Sequence, residues 1–129
     1  MRIPSIDELM NHIHDFRSKE SIKEVLSCFY SDNLRSAVVM LYATVVSDLY
    51  YKISDLVAIY NDTGAEEIKK YVDGEWHDHP KLPTWETEMP KRCREKNKIL
   101  TNESYAHFCH LQDERNLCAH PVITRNDLY

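Results

Sequence analysis

From Asn33 to Tyr60 the chain runs without a glycine or a proline, while Leu34, Val38, Leu41, Val45, Leu49, Ile53 and Leu56 recur at steps of three and four. That spacing returns to one side of a helix with 3.6 residues per turn. A long central helix over 33–60 is therefore the strongest constraint on what this chain can fold into. Val39, Tyr42, Val46, Tyr50 and Val57 form a second apolar set, which widens the face beyond what one packing contact uses. Two arrangements satisfy such a face. Either the helix is surrounded by neighbours from its own chain, or it is shared between one neighbour and a second subunit.

The flanking segments are also helical in pattern. Ser5 followed by Glu8 is a capping box, and Ile6, Leu9, Met10, Ile13 and Phe16 follow at helical spacing, so the first helix is expected over 6–16. Ser21 with Glu24 repeats the device ahead of Ile22, Val25, Leu26 and Phe29, which predicts a short second helix. Asn61-Asp62-Thr63-Gly64 stops the central helix, and Thr63 with Glu66 caps another that is expected to end near Asp73-Gly74. The segment from Glu75 to Pro83 has two prolines and no period, which predicts a loop. Thr84 can cap a fifth helix bent at Pro90, and Thr101 or Asn102 starts a last one that runs until Pro121. With only two glycines and no hairpin turns between alternating runs, the expected class is all-α, a bundle of five to six helices. A length of 129 residues suits a single domain over 1–129.

Composition narrows the function classes. Sixteen basic residues against twenty-one acidic ones give a net charge of −5, the wrong sign for a protein that holds nucleic acid by bulk charge. Any contact with a polyanion has to be local. The opening MRIPSIDELM lacks the basic, apolar and small-residue series of a leader, and no stretch approaches the length of a membrane span. A cytoplasmic protein with no membrane partner is the expectation. Cys28, Cys93, Cys109 and Cys118 form no CxxC pair, so reduced and mostly packed thiols are expected. There is no P-loop, dinucleotide turn or nucleophile elbow to support nucleotide hydrolysis or acyl transfer.

Near the end stands Arg115-Asn116-Leu117-Cys118-Ala119-His120, an arginine and a histidine with four residues between them. A histidine moves a proton near neutral pH, and a guanidinium is charged at every working pH. Pro121 disfavours a helical conformation for His120, which puts that residue at a helix end. On a continuous helix, five steps of about 100° would set Arg115 and His120 roughly 140° apart. They share a site only if the end unwinds or if both flank a groove completed by another surface. The alternative for Arg115 is an ion pair with Asp113 or Glu114 on a solvated face.

This segment, on the last helix of an all-helical chain, resembles the signature of the HEPN superfamily, many of whose members are metal-independent ribonucleases. The resemblance implies a homodimer in which two motifs converge on one cleft. It also implies RNA cleavage by 2′-hydroxyl transesterification, with no cofactor and no metal. Arg115, Asn116 and His120 would be the catalytic residues: the two histidines as base and acid, the arginines on the non-bridging oxygens, the asparagine orienting the phosphate. A toxin or antiviral defence role, with an antitoxin or an additional effector domain as partner, is what the family implies. Two departures stand out. Some family toxins carry a modifiable tyrosine two residues after the histidine, where this chain has Val122, and members commonly continue as helix where this one ends at Tyr129. Either this is one domain of something longer, or a partner supplies the support.

Residues 91–98, KRCREKNK, are the densest basic run of an acidic chain. Lys91, Arg92, Arg94, Lys96 and Lys98 are therefore the candidate contacts to an RNA backbone, against the alternative of a solvated helix face. His77-Asp78-His79 and the group His107, Cys109, His110, Cys118 and His120 contain metal-ligating types, but not at the paired spacings of structural zinc sites. The competing function class is a non-catalytic helical domain whose wide central helix serves dimerisation or partner docking.

Overall fold

A computed structural model describes residues 5–120. These form an all-α bundle of six helices: α1 (Ile6–Met10), α2 (Phe16–Tyr30), α3 (Leu34–Tyr60), α4 (Thr63–Asp78), α5 (Thr84–Glu95) and α6 (Asn102–Ala119). No helix among the described residues is long and apolar enough to cross a membrane. Pro121, Val122 and Tyr129, on which parts of the sequence reading turned, lie outside the described residues.

Helix α3 is the axis, 27 residues and about 40 Å long. It packs against α2 on one side and against α4, α5 and α6 on the other, while α4 also packs on α5 and α5 on α6. Much of its wide apolar face is thus used by neighbours within the chain, while Leu34 at its start stays exposed. The main core joins Tyr42, Val46, Leu49 and Ile53 of α3 to Ala65, Ile68 and Val72 of α4, Met89 and Cys93 of α5, and Phe108 of α6. Full burial of side chains such as Ile53, Ile68 and Met89 contributes about 1.5–3 kcal/mol each. The helix stops where Asn61 adopts the left-handed conformation, φ 51°, one of the few non-glycine types that does so cheaply.

Five boundaries differ from those expected from the sequence. The first helix does not run to Phe16: it ends at Met10, and Asp15 starts α2 by accepting a hydrogen bond from the Arg17 amide at 2.8 Å. Ser5 does cap α1, accepting from the Glu8 amide. Ser21 and Glu24 lie inside α2 and cap nothing, because the aspartate six residues earlier had already satisfied the helix start. Helix α4 passes through Gly74 to Asp78, leaving a loop of only 79–83. A Cβ at Gly74 would meet no neighbour, so the glycine only weakens the helix locally, and packing of Ile68 and Val72 overrides it. Finally, α4 is capped by Asp62 rather than Thr63, and α5 begins after Pro83 without a side-chain cap. Pro90 is accommodated inside α5, fully buried.

Candidate functional site

On α6, Phe108, Leu111, Arg115 and Cys118 fall at steps of three and four, so Arg115 occupies a position on the inward stripe of its helix. Phe108 and Cys118 are buried, and Leu111 packs on the core. Arg115 is half-buried, with its guanidinium carbon 5.1 Å from the centre of the Tyr42 ring. The same ring lies 5.7 Å from that of Phe108. Arginine thus replaces an apolar residue over an aromatic face, where its stem packs and its charge meets the ring's negative face.

The polar atoms of Arg115 are less committed. Nη1 donates to Asn116 Oδ1 at 3.1 Å, and Nε is buried without a hydrogen-bond partner among the described residues. Neither Asp113 nor Glu114 takes it as an ion pair; Glu114 instead lies 4.0 Å from His110. The nearest acidic influence comes through Tyr42, whose hydroxyl makes a long 3.4 Å bond to Glu86. Burial, with the Glu86 charge adding to it, pushes the Tyr42 phenol above its ordinary range, so it remains a neutral donor.

His120 is the C-cap of α6. Its backbone is extended, φ −81° and ψ 146°, and its amide donates to the Asn116 carbonyl at 3.2 Å. The helix end expected from the sequence is present, and the imidazole is exposed. Asn116 therefore acts twice, orienting Arg115 with its side chain and closing the last turn with its carbonyl. Arg35, from the start of α3, completes this end: Nε and Nη2 donate to the Cys118 carbonyl at 3.0 and 2.7 Å, and Nη2 reaches the His120 carbonyl at 3.0 Å. An open groove of about 670 Å³ lies beside it, lined by Cys28, Arg35, Ser36, Val39, Met40 and Cys118.

Tyr42 and Arg35 were missed in the sequence. Tyr42 is indistinguishable there from the other apolar positions of α3. Arg35 did leave a signal: it is the sole cation between Lys23 and Lys52, and it stands in the first turn of a helix, where the dipole disfavours positive charge.

The basic run is mostly occupied elsewhere. Arg92 lies over Tyr71 at 3.9 Å and pairs with Glu88 at 3.4 Å; Arg94 lies over Tyr105 at 4.3 Å; Lys96 pairs with Glu67 at 2.9 Å. The Glu67 carboxyl is held below its ordinary range by that lysine. Lys91 and Lys98 are exposed and form no ion pair among the described residues. Arg94 sits against the first half of α6, so the run lies on the order of 15 Å along the helix from Arg115. The structure brings Arg115, Asn116 and His120 to one end of α6 and sets the basic run toward the other. Among the described residues, no group of three or more His, Cys, Asp or Glu side chains is arranged to hold a metal ion.

No family model, curated protein or solved structure matches the chain.

Proposed function

We propose that the chain is a metal-independent endoribonuclease acting at a composite site of a homodimer, in a toxin or antiviral defence role. The observation that carries this reading is Arg115: a half-buried guanidinium fixed over Tyr42, braced by Asn116, with no carboxylate partner among the described residues. A half-buried cation held in place without a counter-charge is left able to meet an anion from outside, which favours such a role. A phosphodiester supplies that anion.

In the proposed reaction one His120 removes the proton of the 2′-hydroxyl, whose oxygen attacks the adjacent phosphorus. The His120 of the partner protonates the departing 5′-oxygen, and the Arg115 guanidinium groups hold the non-bridging oxygens as charge builds on them. The products are a 2′,3′-cyclic phosphate and a 5′-hydroxyl. Cleavage of total RNA should persist in excess chelator, disappear in the Arg115→Ala/His120→Ala variant, and stop when one 2′-deoxy nucleotide is placed at the cut site. Chelator sensitivity, or cutting of the 2′-deoxy substrate, would overturn the mechanism. Wild-type protein without any cleavage would leave the second reading, a helical dimerisation or partner-binding domain. That reading is favoured by an apolar groove of about 510 Å³ between α1, α2 and α3, bordered by the exposed Phe29 and Leu34.

A further inference from the structure

Arg35 stands at the positive end of the α3 dipole and spends its side chain on the negative end of α6. The carbonyls it reaches, those of Cys118 and His120, belong to the group that a helix end leaves without intrahelical partners. They bracket the step at which the chain passes from helical Ala119 to extended His120. Beside this turn lies the open groove lined by Arg35, Val39 and Cys118, with Cys118 itself buried. Nη2 bridges the two carbonyls and Nε adds a second bond to that of Cys118, so the planar guanidinium is held by two of its nitrogens, whereas an ammonium is a point donor.

We infer that Arg35 is a positioning residue for His120, clamping the carbonyls on either side of the helix exit and thereby fixing the direction in which the imidazole meets RNA. The second half of this inference rests on the ribonuclease reading; the clamp itself does not. A plain helix cap would differ in one respect. Capping needs a cation near the dipole, which lysine also provides, while positioning needs the planar group held by Nε and Nη2 together.

The test compares Arg35→Lys and Arg35→Gln with wild type by thermal unfolding, by kcat and KM on a mixed-sequence single-stranded RNA, and by NMR of the imidazole C–H signals. His107 and His110, on the same helix and exposed, serve as references. Arg35→Lys should unfold cooperatively, lose about tenfold to a hundredfold in kcat with KM within about twofold, and shift or broaden the His120 signals alone. Unmoved His120 signals, or an unchanged kcat in an active enzyme, would reduce Arg35 to a cap and overturn the inference. Loss of folding in both variants would assign it to the scaffold and overturn the inference equally. If wild type cleaves no RNA, the ribonuclease reading falls, and the imidazole signals alone decide whether Arg35 holds His120.

Discussion

At the scale of single residues, Arg115 does two separable things. Its stem covers Tyr42, and its guanidinium meets no carboxylate among the described residues. Arg115→Met keeps the first and deletes the second, so it should change stability by less than about 1 kcal/mol while abolishing RNA cleavage. Calorimetry beside a gel assay measures both; a large fall in stability with activity retained would make the arginine architectural. A second residue shows the opposite environment. Burial pushes the Cys93 thiol up to about 12, so it carries no thiolate at neutral or mildly alkaline pH. Native protein treated with iodoacetamide should be labelled at the half-buried Cys28 and Cys109 long before Cys93, as read by mass spectrometry. Because the folded pKa is raised, the stabilising contribution of the neutral thiol is complete below the ordinary thiol range and is lost as pH climbs toward about 12.

At the scale of elements, the run at the end of α5 divides into packed and unpacked cations. Lys91 and Lys98 are the members without ion pairs among the described residues, whereas Arg92 and Arg94 lie over tyrosines. Changing Lys91 and Lys98 to Gln should lower the salt dependence of RNA affinity by about one to two counterions and leave the melting temperature alone. Changing Arg92 and Arg94 should instead cost about 0.5–1 kcal/mol each through lost stacking. Affinity unchanged across a salt series would return the run to a solvated face. Helices α3 and α6 were legible in sequence because their patterns are long, uninterrupted and stopped in sequence by Asn61 and Pro121. The break between α1 and α2 was not, since Phe16 fits the apolar period yet stays exposed, and one aspartate decides where the chain restarts. The same holds at the candidate site. Arg115 and His120 announce themselves by type and spacing, but Arg35 joins them only through contacts across 83 and 85 positions, which no local pattern encodes.

At the scale of the whole molecule, one His120 per chain has two proton transfers to serve in the proposed reaction. Light scattering should therefore report a dimer, and specific activity should fall on dilution through its dissociation range. A monomer with full activity would exclude the composite site. The bundle itself imposes an order of events. Helix ends ordinarily fray at almost no cost, opening and closing without reference to the rest of the fold. The last turn of α6 is tied instead to the first turn of α3, a closure spanning most of the chain, and such closures are entropically slow to form. The Arg35 bonds to the His120 turn can form only once α3 and α6 have packed together, so a partly folded chain carries the motif in sequence without this brace.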